Sequence, residues 1–541
     1  MKLNKAHLQT FAFILVYLYA LYFWSQPYHE RKLPYGEYDA MSHFEIADYM
    51  AYNDKSFMKL PPYIDVRYGN DNDFKPHTLW YAPPFHATLA ISEAVGKERV
   101  VPIFLMNTIM ATFVIVAVYF VVNSLFGFLP AILSALLIIF SPRDFMPFLW
   151  GQWPEIFAYA FIPIILYCLY KYLVDYSSEA KPRYLYLTAL FLGIVILIHP
   201  LAFFHSVFGI VVLYIFIAVK QKKFAFNWKH ISVSALIFLT LFMLFPYQTF
   251  NIFVQFNRGA ENKSQPLGLS RLFQWSLNPK EYEGSVPKSY FSFKEMNGLW
   301  TLPFLLLGIL ILAWRREERD LFLLAWLVSL YLVLHRDLIG KSFFLHRSLS
   351  ATMHIFAPLT ALGAIYAASI VKIKNYGKYF KYAIAAVFVY LVFAVNMKYA
   401  SSILNKNTYS PYPVNGKLTD GFLKILSNEQ LKAAEWALKN VPFDAGIAVL
   451  GIPHQEGFLQ ATAYKMRWFA AVSQRVSAFY YLADEKKEMP NNPKWYFLLD
   501  YTMLLDKEML DNLKAFEKDM LANYTLAYNE NNIKVYKYDK N

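Results

Sequence analysis

Apolar runs of membrane-spanning length recur along the first three quarters of the chain, broken by shorter polar stretches. The first extends from Leu8 to Trp24, and others occupy 100–122, 128–140, 153–174, 184–198, 201–219, 230–247, 298–314, 321–335, 351–371 and 382–397. A hydrocarbon layer of about 30 Å takes about 20 residues of helix, so this pattern predicts about eleven crossings. The run 128–140 is short for a crossing, and His199-Pro200 alone divides 184–198 from 201–219. The first run reads as an uncleaved span, because the Ser25-Gln26-Pro27 that follows its aromatic end is not a small-residue cleavage site.

Beyond the linker-like Asn405-Lys406-Asn407-Thr408-Tyr409-Ser410-Pro411 the pattern changes. Ser427-Asn428 caps a predicted helix through Leu431, Ala434, Trp436 and Leu438 to Asn440, and Ile447–Ile452 reads as a strand. Asp506 caps another helix to about Met520, and Thr525–Tyr528 with Ile533–Tyr538 flank a turn as a hairpin. The predicted organisation is a polytopic α-helical membrane module over 1–397 with long outer loops at 25–99 and 248–297, a linker at 398–426, and a C-terminal α/β domain at 427–541.

Charge fixes the orientation. The 541 residues are 57% apolar, 19% aromatic and 17% charged, with a net charge of +13. With eleven crossings and an internal N-terminus, sixteen basic residues fall on short inner segments, among them Lys2, Lys5, Lys171, Lys220, Arg315, Arg316 and Lys372. Only Arg143, Arg336, Lys341 and Arg347 fall on short outer ones. The positive-inside rule therefore places the N-terminus in the cytoplasm and the C-terminal domain outside a multi-pass cell-membrane protein. The excess positive charge is a topology signal and not a nucleic-acid footprint. The single Cys168 sits within a span, which excludes an intramolecular disulfide and a cysteine-based metal site.

The chemistry-bearing positions lie on the outer side. In the first long loop, Glu37-Tyr38-Asp39 precedes a stretch with Met41, Phe44, Ala47 and Met50 at helical spacing, and Pro84–Val95 forms a second such stretch. Both read as amphipathic helices lying in the membrane interface. Asp39 at that position is either a helix N-cap or a reactive carboxylate. The next loop carries Asp144 beside Arg143, then Gln152-Trp153-Pro154-Glu155, where Glu155 also suits the first turn of a helix. His199 is either a structural residue at a helix end or a donor to phosphate oxygen. Arg347 sits at the threshold of a late span, where an Arg either snorkels to the interface or faces a cavity as a cationic fork. Gly451-Ile452-Pro453-His454-Gln455-Glu456 follows a strand, and Asn262-Lys263-Ser264 and Asn523-Tyr524-Thr525 are sequons.

Signatures of other chemistries are absent: no phosphate-binding glycine loop, no HExxH, no GxSxG and no CxxC. The acidic motif after the first span, the long first outer loop, the outer acids and Arg, and the late run Leu345–Gly363 together resemble the GT-C superfamily of integral-membrane glycosyltransferases. Glu37-Tyr38-Asp39 looks like the ExD form of that superfamily's first-loop motif. The resemblance implies Asp39 as the acid–base residue with Glu37 beside it, Asp144 and Glu155 as the second-loop acids, and Arg347, His199 and Arg336 on a lipid-linked phosphate. It assigns His43, Gln152 and Trp153 to the substrate. It further implies a polyprenyl-phosphate sugar donor in the lipid bilayer, an inverting transfer to a glycan, lipid or protein acceptor, and no obligatory cofactor.

A metal-dependent variant, similar to oligosaccharyltransferases, would use Asp39, Asp144 and Glu155 as oxygen ligands for Mg²⁺ or Mn²⁺. The C-terminal domain departs from that variant, since Arg467-Trp468-Phe469-Ala470 is its nearest text to an acceptor-recognition WWDYG motif. A transporter or flippase, or a non-enzymatic membrane scaffold, are the readings from other classes. The scarcity of charge within the spans argues against the transporter.

Overall fold

A computed structural model describes residues 4–29, 36, 38–52, 57–64, 77–79, 81–179, 181–251, 290, 292–335, 345–370, 377–404, 413–414, 417–418, 426–451, 467–481, 495–502, 507–521 and 524–538. Every one of the eleven apolar runs is helical over most of its described length. Six helices are long and apolar enough to cross a membrane: Lys5–Trp24, Val101–Phe126, Trp153–Tyr176, Pro200–Gln221, Arg347–Ser369 and Tyr379–Leu404. A bent pair raises the number to seven, while Pro182–Ile198, Trp228–Phe242 and Thr301–Arg315 are apolar but shorter. The expected count of about eleven crossings is thus met in part.

The bent pair accounts for the short third run. Phe128–Ile139 stops, turns by 42°, and continues as Pro142–Trp150. Pro142 has no backbone N–H to lose at a helix start and favours the break there. Arg143 and Asp144 are consequently carried inside the protein and are both buried, not exposed as a surface pair on an outer loop.

Two late helices approach unusually closely. A Cβ on Gly363 of Thr352–Ile370 would lie 1.9 Å from the Phe304 carbonyl oxygen, and one on Gly308 of Thr301–Arg315 would lie 2.1 Å from that of Leu359. Small residues at a crossing let helix backbones approach this closely in a bilayer, where packing drives association. That crossing seats Thr352–Ile370, the helix entered directly from Arg347.

The helices of the first long loop form as Tyr38–Tyr52 and Pro84–Gly96. Their environment departs from the expected interfacial one. Ala40 through Tyr49 are all buried, because the first helix is enclosed on every side. Pro84–Gly96 buries Phe85, His86, Leu89, Ala90 and Glu93 and exposes another face that includes Ile91 and Val95.

Among the C-terminal residues, Asn428–Asn440 is helical behind a capping box between Ser427 and Gln430, and Lys507–Met520 is a second helix. Short two-residue ribbons pair β1 (Lys59–Leu60) with β2 (His77–Thr78), and β3 (Pro413–Val414) with β4 (Lys417–Leu418). The larger sheet joins β5 (Gly446–Gly451), β6 (Val476–Tyr481), β7 (Trp495–Asp500), β8 (Tyr524–Glu530) and β9 (Ile533–Tyr538) in the order β6-β5-β7-β9-β8. Its β5 runs parallel to β6 and β7, with Val449 opposite Phe479 and Leu498, whereas β9 is antiparallel to β7 and β8. The hairpin turns at Asn531 and Asn532, both with positive φ, which Asn tolerates. The apolar core of the helical bundle continues without a break into Trp468, Phe469, Ala471 and Val472 of the short helix 467–473.

Candidate active site

Four residues from four separate elements meet at one end of the bundle. Asp39 lies in the first turn of Tyr38–Tyr52. Arg347 lies in the 3₁₀ turn Leu345–Ala351, Glu155 in the first turn of Trp153–Tyr159, and His199 between Pro182–Ile198 and Pro200–Gln221. Arg347 donates from Nη2 to Asp39 Oδ2 at 2.9 Å, and its Nη1 stands 3.9 Å from Glu155 Oε2. At the same carboxylate, His199 Nε2 also lies 3.9 Å from Oε2, while the Tyr159 hydroxyl donates to Oε1 at 2.8 Å.

Exposure grades across this cluster. The side chains of Asp39 and Arg347 are 25% and 21% exposed, whereas Glu155 is at 1%. Asp39 and the guanidinium are therefore the groups a ligand reaches, and Glu155 backs the Arg from inside. Of the two sequence readings of Asp39, the N-cap does not hold: its carboxylate accepts from Arg347 within the helix's first turn.

The close approach of the two acidic segments depends on Gly151. It has φ +89°, and a Cβ there would fall 1.9 Å from the backbone nitrogen of Ala40, the residue after Asp39. A side chain is opposed both by the conformation and by a backbone that cannot swing aside. We expect Gly151→Ala to destabilise the protein by about 1–3 kcal/mol, and to lower binding of any ligand held between Asp39 and Glu155. A melting curve beside a binding isotherm checks it; an unchanged melting temperature would contradict the tight contact.

A second layer lies behind. His43, one helical turn from Asp39, is buried and its Nδ1 is 2.9 Å from His86 Nε2. Burial, then the neighbouring His199 and Arg347, push its imidazole down to about 3; burial and His43 push His86 down as well. Both rings are neutral at neutral pH, so a single N–H serves the bond between them. Trp153 is buried, donates its indole N–H to the Phe148 carbonyl at 2.9 Å, and lies against His43 with ring centres 6.1 Å apart. It is a wall of the site and not a free stacking surface for a sugar. Gln152 is buried next to it.

Asp144 stands apart from the four-residue cluster, held at Oδ1 by His354 Nε2 at 2.5 Å. Tyr159 links the two groups, since its ring lies 6.4 Å from that of His354 while its hydroxyl reaches Glu155. Arg143 donates to the Tyr290 carbonyl and stacks over the Tyr290 ring at 5.1 Å. Among the described residues no group of three or more His, Cys, Asp or Glu is disposed to hold a metal ion. Asp39 and Asp144 are engaged by different partners, so the three acids considered for Mg²⁺ or Mn²⁺ do not form one ligand set. Glu37, Arg336, the 452–456 segment and both sequon asparagines lie outside the described residues.

His354, Tyr159 and His86 were not singled out by the sequence reading. For His354 a signal existed: it is an ionisable residue within the run 351–371, and such residues inside spans usually mark function.

No curated protein matches the sequence. Among solved structures, the oligosaccharyltransferase of Archaeoglobus fulgidus in its apo form aligns with a TM-score of 0.54 at 14% identity, over 90% of this chain and 69% of that one. ArnT from Cupriavidus metallidurans bound to undecaprenyl phosphate aligns with a TM-score of 0.52 at 11% identity, over 97% of this chain and 98% of that one. Its apo form aligns with a TM-score of 0.52 at 10% identity, over the same shares of the two chains. The chain thus shares its fold with these two proteins. Residues 6–448 match the model of a family of unknown function, DUF6541, and the chain belongs to that family.

Proposed function

We propose that the protein is a membrane glycosyltransferase of GT-C type, moving a sugar from a polyprenyl-phosphate donor to an acceptor hydroxyl on the extracytoplasmic face. The observation that carries this reading is the meeting of Asp39, Arg347, Glu155 and His199 at one end of an apolar bundle. A carboxylate and a guanidinium side by side, both reachable, are what the reaction needs. The ArnT neighbour, solved with undecaprenyl phosphate, supports the donor class.

In this mechanism the acceptor oxygen attacks the anomeric carbon as the bond from that carbon to the phosphate oxygen breaks. One displacement inverts the centre. The acceptor hydroxyl proton passes to Asp39, and the electron pair of the broken bond leaves on the polyprenyl phosphate, whose growing negative charge is met by Arg347. Without a donor, Arg347 is the counter-ion of Asp39. An arriving phosphate competes for the same fork, and the Arg turns from one anion to the other. Asp39 is then free of its counter-ion when a donor is present and can take the acceptor's proton. Glu155, fixed by Tyr159, keeps Arg347 anchored during the exchange. His43 and His86 are neutral and do not compete as cations for the phosphate.

The test is a transfer assay on the full-length protein in lipid nanodiscs. Dolichyl- and undecaprenyl-phosphate hexoses and pentoses are offered with an acceptor-bearing membrane fraction, and released polyprenyl phosphate is measured by mass spectrometry. Release that depends on both donor and acceptor is expected. Movement of intact donor across vesicles without release would make the protein a transporter, and binding of neither donor would leave a scaffold. Loss of release in chelator would move the reading to the metal-dependent alternative.

A further inference from the structure

The helix that carries Asp39 is gripped at both ends by a short piece of the C-terminal region. At its start, the Trp468 indole N–H donates to the carbonyl of Gly36 at 3.0 Å, three residues before Asp39. Near its other end, the fully buried Asp48 accepts a two-pronged contact from Arg99, both bonds 2.7 Å, and a third bond from Gln474 Nε2 at 2.6 Å. Arg99 also donates to the carbonyls of Val472 at 2.9 Å and Ala471 at 3.4 Å, which end the helix 467–473. Those terminal carbonyls have no partner within a helix, so the guanidinium satisfies them while neutralising Asp48. Gln474 adopts positive φ (+53°) just past the helix end, which turns its side chain back onto Asp48.

The same segment is tied to the sheet and its helix. Arg475 donates to the carbonyls of Val441 and Leu438 at the end of Asn428–Asn440, and β6 begins at Val476. Glu93 lies beside Asp48; burial, then the Asp48 charge, hold its carboxyl well above the ordinary range, so it is neutral and leaves Arg99 to Asp48. Arg347 belongs to a different element, the 3₁₀ turn Leu345–Ala351, which packs on Glu318–Leu334, Pro142–Trp150 and Thr352–Ile370 and meets the gripped helix at Asp39.

Resting on the glycosyltransferase reading above, we infer that residues 467–474 act as a strut that positions the base, with Trp468, Arg99 and Gln474 as positioning residues for Asp39. The donor phosphate is held by Arg347, on the separate turn Leu345–Ala351. Loosening the strut therefore misplaces the base and spares the phosphate site. Reactive groups displaced by about 1 Å can lose on the order of 100-fold in rate.

Three variants test this in nanodiscs. Trp468→Phe keeps an aromatic ring against Phe44 and Phe104 and removes the N–H along with part of the ring; Arg99→Gln removes the charge; Arg99→Lys keeps it without the fork. Amide hydrogen exchange over residues 38–43 is expected to speed up at least several-fold in Trp468→Phe and Arg99→Gln. Their kcat is expected to fall about 10- to 100-fold, while undecaprenyl phosphate binding does not weaken, its Kd lying between the wild-type value and one about fivefold lower, and Arg99→Lys recovers part of the rate. Unchanged exchange over 38–43 in both variants would overturn the inference. So would an equal loss of kcat and of undecaprenyl phosphate binding, which marks general damage. Should wild-type protein release no polyprenyl phosphate from any donor, the glycosyltransferase reading fails while the exchange data still decide the strut. Should Arg99→Gln fail to insert, Trp468→Phe carries the test alone.

Discussion

Asp39→Asn is expected to cut sugar transfer by about 10²- to 10⁴-fold, the range for loss of a positioned general base, and yet to bind undecaprenyl phosphate more tightly than wild type. The two effects have one origin. Asn keeps the shape and the place in the first turn of Tyr38–Tyr52 but accepts no proton at neutral pH. It also releases Arg347 from its 2.9 Å ion pair. Because that pair is about a quarter exposed on the Asp side, the released interaction amounts to about 1 kcal/mol, or roughly fivefold in affinity. Released polyprenyl phosphate and an equilibrium binding isotherm on the same preparation check both parts. Transfer at the wild-type rate removes Asp39 from the chemistry. Lost transfer with weakened lipid-phosphate binding would show that the carboxylate shapes the phosphate site and does not compete for it.

What the sequence displays follows from which forces act locally. The hydrocarbon layer demands long apolar runs, so 100–122 reads directly as Val101–Phe126 and 201–219 as Pro200–Gln221. Ser427 with Gln430 announces its helix, because capping is a matter of three residues. Asp39, Glu155, His199 and Arg347 stand out because charge beside an apolar bundle is costly and rarely idle. Parallel and mixed-sheet strands lack alternation, which hid β6 (Val476–Tyr481) and β7 (Trp495–Asp500). A span that breaks and bends reads as a short span plus a loop, so Arg143 and Asp144 gave no sign of being buried. The first-loop helix carries apolar residues at helical spacing, and part of its cover is Trp468, against Phe44, and Gln474, on Asp48, more than 400 residues away in the chain. No periodicity within the helix announces a partner so distant.

Arg347 is the second position where a single change has a large effect, and it can separate charge from geometry. Arg347→Ala removes the donor to the leaving phosphate, and charge-assisted bonds of this kind contribute about 1.5–3 kcal/mol. Undecaprenyl phosphate binding should therefore weaken about 10- to 100-fold. Arg347→Lys retains one positive charge but has no fork to reach Asp39 and Glu155 together, whose contact atoms are served here by Nη2 and Nη1 respectively. It should recover part of the binding and little of the transfer, since a point charge near the phosphate does not follow it as the bond breaks. The combination with Asp39→Asn decides whether the two side chains trade partners. If an arriving phosphate takes Arg347 from Asp39, the Arg is worth more to binding when Asp39 is already neutral. Removing Arg347 should then cost about fivefold more in the Asp39→Asn background than in the wild type, a coupling of ~1 kcal/mol. Strictly additive costs would mean that donor binding leaves the ion pair intact. The proton of the acceptor would then go to a carboxylate still neutralised by its Arg, and the exchange of counter-ions would drop out of the mechanism.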